Sequence, residues 1–270
     1  MRGLMVPRVT SLPAWLDLSG SVAVVTGGGT HLGRSMATAL AELGAILYLV
    51  GRRPDVIEDA AQDLRSTGLD ATAWPGDASD DTAMSQLVSS VTQRHGRLDV
   101  MVCNAGGRVG DSVLPNISLP DLEGTIRQHV GTTLISAQAA ARAMISQQSG
   151  AIITVGSIHG TLGSDKRRYR PGYHRSQVTH HAAKGGIINL TRALACELGE
   201  YGITVNCISP GQFPKPGMDE VTRDLQRDGV PLGRLGVPED LRSAVAMFAS
   251  PSGRWTTGQN LTVDGGWSAW

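Results

Sequence analysis

Short runs of consecutive apolar residues alternate along this chain with longer stretches of helical periodicity. Val22-Ala23-Val24-Val25-Thr26 presents apolar side chains on both faces of an extended backbone, which suits a strand buried on both sides. The same pattern predicts strands at Ile46–Val50, Ala71–Trp74, Val100–Cys103, Ile152–Val155, Thr204–Ile208 and Asn260–Val263. Helical patterns lie between them, at Arg34–Leu43, from about Asp80 to His95, over Asp121–Gln147, from His180 to about Tyr201, and over Pro238–Ala249. The last opens on proline followed by Glu239 and Asp240, residues that favour a helix N-terminus. In the His180 helix, Ala183, Ile187, Leu190, Leu194 and Leu198 recur at spacings of 4, 3, 4 and 4, which predicts a buried stripe. Strands and helices in alternation make this an α/β chain.

The first strand runs straight into Gly27-Gly28-Gly29-Thr30-His31-Leu32-Gly33. Glycines at a strand-to-helix turn let the backbone approach a ligand closely, and the helix N-terminus offers free N–H groups to a pyrophosphate. Tight turns also need glycine, so the cluster gains weight only from its place after the first strand. The second strand ends at Gly51-Arg52-Arg53, with no acid before Asp55. An acid there suits the ribose 2′-hydroxyl of NAD, whereas arginines suit the 2′-phosphate of NADP. NADP is the expected cofactor and NAD the alternative; two solvated arginines are the bland reading.

His180 and Lys184 stand four residues apart, one above the other on one helix face. The local sequence leaves open a catalytic pair or a solvated first turn in which Lys184 meets a carboxylate.

Composition narrows the field. A chain of 270 residues suffices for one large α/β domain with a full core and does not require two. Its 24 basic and 24 acidic residues balance, which gives no general reason to expect nucleic acid or an anionic membrane as partner. Cys103, Cys196 and Cys207 form no CxxC pair and sit in or beside apolar runs. That predicts buried free thiols in a reducing cytoplasm, and no metal site. No apolar run reaches membrane-span length. Residues 1–17, broken by Pro7 and Pro13, read as an extended arm rather than a secretory signal.

Together these pieces resemble the short-chain dehydrogenase/reductase family in its classical branch. The resemblance runs from about Leu18 to Gly266 and is carried by Thr26-Gly27 with Gly33, Asp77, Asn104-Ala105-Gly106, Ser157, Lys184 and Pro210-Gly211, then Thr257-Gly258-Gln259 with Asp264-Gly265-Gly266. It implies a single Rossmann-type domain over residues 18–270. That fold is a doubly wound, parallel, seven-stranded sheet with helices on both faces and the dinucleotide across the strand C-terminal edge. It implies cofactor contacts from Gly27, Gly29, Thr30, His31, Leu32, Gly33, Arg52, Arg53, Asp77 and Ala78. Further contacts are implied for Asn104, Ala105, Gly106, Lys184, Pro210, Gly211 and Phe213. A homotetramer or homodimer is expected.

The departures from the family fall at the reaction centre. His31 stands where a second glycine is usual, a place where pteridine reductases carry arginine. His129 matches the asparagine that holds a proton-relay water, and Ser157 the substrate-orienting serine. The family's Tyr-x-x-x-Lys is His180-x-x-x-Lys184, and Lys215 matches the threonine that binds the nicotinamide carboxamide.

Histidine titrates near 6.5, against about 10 for tyrosine. A Lys184 ammonium roughly 6 Å away, at an effective dielectric of about 20, opposes an imidazolium by nearly 3 kcal/mol, or about two pKa units. Neutral imidazole is a base and a poor acid at pH 7. His180 is therefore expected to accept a proton, with Ser157 and His129 orienting the substrate oxygen. On this reading a rate profile without a break between about pH 5 and 8 counts against His180 as the base.

Residues 163–176 form an insert longer than the family usually shows. Its Lys166, Arg167, Arg168, Arg170 and Arg175 point to an anionic small-molecule substrate or to a partner subunit's carboxylates, with a solvated charge run as the alternative. Tyr169 and Tyr173 are candidates to replace the missing phenol. Residues 212–236 read as a lid, and Trp267 and Trp270 either cap the domain or meet a neighbouring subunit. Three functions follow: an oxidoreductase acting on an alcohol or carbonyl, a non-redox acid–base enzyme (dehydratase, isomerase or lyase) on this scaffold, or a cofactor-binding protein without turnover.

Overall fold

The computed structural model describes residues 12–107, 109–110, 114–172 and 177–270. Most of the arm, and Tyr173 and Arg175 of the insert, lie outside them. The predicted strands form as β1 (Val22–Thr26), β2 (Ile46–Gly51), β3 (Ala71–Pro75), β4 (Val100–Cys103), β5 (Gly150–Val155), β6 (Ile203–Pro210) and β7 (Asn260–Val263). They make one seven-stranded sheet in the order β3-β2-β1-β4-β5-β6-β7, parallel throughout.

All five residues of β1 are buried, because helices cover both faces of the sheet. Ala23 and Val25 point towards α1 (His31–Glu42), α2 (Pro54–Ser66) and α8 (Arg242–Ala249). Val22 and Val24 point towards α3 (Asp81–His95), α5 (Thr132–Gln147) and α6 (Val178–Leu198). The chain order reverses between β1 and β4, the topological switch point at which such sheets bind ligands. Thr26 and Asn104 tie that point together. The Thr26 hydroxyl accepts from the amides of Asn104 and Ala105, and Asn104 Nδ2 donates to the carbonyls of Thr26 and Gly27, all at 3.0–3.2 Å.

Several elements differ from the sequence expectation. The Asp121–Gln147 helix is divided into α4 (Leu119–Ile126), a π-helical turn over Arg127–Gly131, and α5. Two helices went unpredicted: α2, which starts on Pro54, and α7 (Glu220–Arg227), whose inward face is Thr222 and Gln226 rather than an apolar stripe. In α6 the buried stripe is Ala183, Ile187, Thr191, Ala195 and Leu198 with Ile188, while Leu190 and Leu194 are half-buried. Within that stripe the Thr191 hydroxyl meets that of Thr154 in β5 at 2.7 Å. Cys103 and Cys207 are buried as expected, but Cys196 is exposed, one residue beyond buried Ala195 on the outer face of α6. Among the described residues no helix is long and apolar enough to cross a membrane.

Candidate active site

Two clefts meet along the C-terminal edge of the sheet. The first, about 620 Å³, is lined by Gly27 and Gly29–Gly33 after β1, by Arg52 and Arg53 after β2, by Asp77 and Ala78 after β3, and by Asn104–Gly106 after β4. A Cβ on Gly33 would collide with the carbonyl of Gly27, and one on Gly27, at φ +64°, would lie 2.8 Å from Asn104 Nδ2. Only glycine allows this approach of turn to strand end. Gly28 faces the core against Leu49 instead.

Thr30 makes no side-chain cap on α1, and the first turn carries no acid, so its N–H groups are free to receive an anion. Arg52 and Arg53 stand exposed at the far rim. The Asp77 carboxyl is held below the usual range, first by the Ser79 backbone N–H, with Arg52 also contributing. A dinucleotide fits this lining: uncapped helix donors for the pyrophosphate, cations at one end, and a glycine wall between.

His31 takes a left-handed backbone, φ 48°, which histidine tolerates better than most residues. Its Nε2–H donates to the carbonyl of Pro214 at 3.3 Å, joining the glycine turn to the 212–236 segment. It lines both clefts, as does the exposed Lys215.

The second cleft, about 450 Å³, is lined by His129, Ser157, His180 and Lys184, with Pro210, Gly211 and Phe213 on the opposite wall. His129, Ser157, His180, Lys184 and the residues expected to hold the cofactor thus each line one of the two clefts. Gln177, Thr125 and Val109 line the second cleft without having been singled out.

His129 lies within the π-helical turn, a geometry frequent at functional sites. It is 7% exposed. Its Nδ1 has no hydrogen-bond partner and faces Gly106, where a Cβ would come within 2.8 Å. Ser157, at the end of β5, accepts a hydrogen bond from the His159 amide at 3.1 Å, which leaves its own hydroxyl proton free. Lys184 Nζ donates to the carbonyl of Val155 at 2.7 Å. Helix α6 can come this close because Gly160 lies against the Lys184 carbonyl; a Cβ there would stand 2.8 Å from it.

The structure adds His159 and His181 to the expected pair of His129 and His180. The His129 and His180 rings meet edge to face with centroids 5.3 Å apart; His180 and His159 are 6.0 Å apart, and His159 and His181 4.6 Å. His159 lies two residues beyond Ser157 and His181 next to His180. The local signals were a Ser-x-His and a His-His pair.

Burial pushes His129 down to about 4, with Lys184 second among the causes. Burial likewise takes His159 to about 4, aided by His181. His180 falls to about 3, through burial first, then Lys184 and the neighbouring imidazoles. Burial brings Lys184 itself to about 8. Desolvation, rather than the Lys184 charge expected from the sequence, is the larger cause of the His180 shift. The pH expectation reverses with it, because an imidazole neutral from about pH 4 upward gives no break between pH 5 and 8.

Among the described residues of the basic insert, three arginines are already paired with carboxylates. Arg167 pairs with Asp165 at 3.0 Å, Arg168 approaches the same carboxylate at 3.9 Å, and Arg170 pairs with Asp219 at 3.2 Å. Asp219 also caps α7, so the insert braces the 212–236 segment. Tyr169 is buried and does not line the cleft, so it does not stand in for a phenol; Tyr173 is outside the described residues. Trp267 packs over Gly229 of its own chain, whereas Trp270 is 78% exposed.

A family profile described as enoyl-(acyl carrier protein) reductase matches residues 29–268. The chain belongs to the short-chain dehydrogenase/reductase family. It is 36% identical to a 3-oxoacyl-(acyl-carrier-protein) reductase of Chlamydia muridarum over 92% of this chain and 98% of that one. It is 32% identical to a cyclohexanol dehydrogenase of a Rhodococcus species over 93% and 97%. Among solved structures it resembles a gluconate 5-dehydrogenase from Burkholderia cenocepacia, in complex with NADP and tartrate, with TM-score 0.85, 27% identity, and coverage of 95% and 98%. This short-chain dehydrogenase/reductase is an NAD(P)-dependent oxidoreductase of that family.

Proposed function

We propose that this enzyme interconverts a small secondary alcohol and its carbonyl compound with NADP, with His180 as acid/base in place of tyrosine. The observation that supports it best is the meeting of the two clefts. The glycine-walled cleft shares His31, Leu32, Asn104, Gly106 and Lys215 with the cleft that holds Ser157, His180 and Lys184.

In this reading the free N–H groups of α1 hold the pyrophosphate, and Arg52 and Arg53 take the 2′-phosphate of NADP. Asp77, Ala78, Asn104 and Ala105 line the bed between, and Pro210, Gly211 and Phe213 support the nicotinamide end. The bound nicotinamide supplies the hydride acceptor or donor. Lys184 exchanges the Val155 carbonyl for the ribose hydroxyls. Ser157 donates its free hydroxyl proton to the substrate oxygen, and His180 takes the alcohol proton. His129 walls the same cleft, buried and neutral, and orients that oxygen. Neutral imidazole at pH 7 favours alcohol oxidation over carbonyl reduction.

One relative is named for cyclohexanol and one similar structure holds tartrate, and a cleft of about 450 Å³ takes a molecule of that size. We place the enzyme in the cytoplasm as a homotetramer or homodimer. The test is a screen of cyclohexanol, gluconate and cyclic ketones, following the absorbance of reduced cofactor. Substrate-dependent change, lost in His180→Phe while NADP binding persists, is the expected result. Substrate loss without cofactor change would favour non-redox chemistry, and binding with neither would favour a protein without turnover.

A further inference from the structure

Lys215 stands where the two clefts meet, and among the described residues its ammonium has no hydrogen bond or ion pair. The other cations around the clefts are placed differently. Arg52 and Arg53 lie at the far rim of the first cleft, and Lys184 donates to the Val155 carbonyl at 2.7 Å. No carboxylate faces Lys215 across the opening. Among the described residues lining the second cleft there is none, and the one acid lining the first, Asp77, accepts from the Ser79 amide at 2.9 Å with Arg52 nearby. An ammonium so placed has water or an anionic ligand as its partner.

The backbone that carries it is held on both sides. Pro214 and Pro216 flank Lys215. Proline fixes its own φ at roughly −65°, and a residue before proline is confined to extended backbone. The Pro214 carbonyl is tied to the glycine turn by His31 Nε2–H at 3.3 Å, and the Lys215 carbonyl accepts from the Met218 amide at 3.3 Å. A side chain carried on an anchored Pro-Lys-Pro stretch has less freedom to lose on binding than one on a free loop.

We propose that Lys215 is a specificity-determining residue that takes the carboxylate of a hydroxy-acid substrate in the second cleft. This rests on the reading of that cleft as the substrate site, with Ser157 and His180 at the alcohol carbon. The anion expected from the basic insert is thereby moved to the lid, since Arg167, Arg168 and Arg170 already have carboxylate partners. The cofactor's own anions have donors elsewhere, the uncapped N–H groups of α1 for the pyrophosphate and Arg52 and Arg53 for the 2′-phosphate. A threonine at 215, as the family carries, offers a hydroxyl without charge; lysine adds a longer stem and a cation. The tartrate held in the similar gluconate 5-dehydrogenase structure is itself a hydroxy acid.

The test compares D-gluconate with D-glucitol, which differ in a carboxylate against a hydroxymethyl group, in wild type, Lys215→Thr and Lys215→Arg. In the binding arm each is titrated calorimetrically into NADP⁺-loaded protein. Wild type is expected to bind gluconate about tenfold or more tighter than glucitol. K215T is expected to remove most of that preference and K215R to keep it, and the Kd for NADP⁺ in K215T rises by a smaller factor than that for gluconate. In the turnover arm the gluconate-to-glucitol ratio of kcat/KM falls about tenfold in K215T, through KM more than kcat. Gluconate bound no tighter than glucitol in wild type overturns the proposal, as does a preference indifferent to K215T. An NADP⁺ Kd that rises as much as the gluconate Kd assigns Lys215 to the cofactor and overturns it too. The two readings separate cleanly. Charge-dependent binding lost in K215T without turnover of either compound sinks the oxidation reading alone; turnover with a ratio indifferent to K215T sinks the Lys215 assignment alone.

Discussion

The imidazoles of His129 and His180, the positions that the proposed reading matches to the family's asparagine and phenol, meet edge to face with centroids 5.3 Å apart. The two departures are therefore one packing arrangement. A tyrosine at 180 is longer than the histidine and would press on the buried His129 ring. His180→Tyr alone is expected to lower Tm by several degrees, the cost of overpacking. Adding His129→Asn is expected to restore Tm and raise kcat/KM above that of H180Y. A double-mutant cycle on both quantities checks the coupling.

Acid stability follows from the buried histidines. His129, His159 and His180 each titrate in the fold well below their ordinary 6.5, so the unfolded chain binds more protons at mildly acid pH. Their contribution is fully present above about pH 6.5 and is lost as pH falls towards 4. Tm is expected to drop on the order of 10 °C between pH 7 and 5, and less in H159Q, measured by calorimetry across that range.

Lys184 governs the alkaline side. Its pKa near 8 means that the ammonium which is to hold the ribose loses its charge above that pH. NADP⁺ affinity is expected to weaken above pH 8 in wild type, with the break moved upward in Lys184→Arg, read by titration calorimetry. A flat rate profile from pH 5 to 7 accompanies it, because His180 stays neutral there.

Arg52 and Arg53 stand at the rim of the first cleft with no acid before Asp55. Replacing both by alanine is expected to raise Kd for NADP⁺ about 10- to 100-fold and to leave that for NAD⁺ nearly unchanged. Parallel fluorescence titrations with the two dinucleotides decide it.

The Arg170–Asp219 pair joins the insert to the cap of α7. Asp219→Ala is expected to increase amide hydrogen exchange over Glu220–Arg227 while β1–α1 stays protected, and to raise KM for the alcohol before it affects kcat.

The sequence by itself determined the sheet and the dinucleotide cleft. Strands buried on both faces must be apolar throughout, so Val22–Thr26 and its counterparts stand out within a few residues. The glycines that admit a close approach are likewise required at fixed places in one short turn. Local patterns carried no comparable signal for α7, whose inward residues are Thr222 and Gln226, or for the π-helical turn that aims His129. Nor did they show that the arginines of the insert meet Asp165 and Asp219, one of them some fifty residues away in the chain. The proton chemistry was decided by tertiary structure. His129, His159 and the His180-His181 pair come from three separate segments. Only their packing against one another and into the fold pushes the imidazoles of His129, His159 and His180 well below their ordinary range.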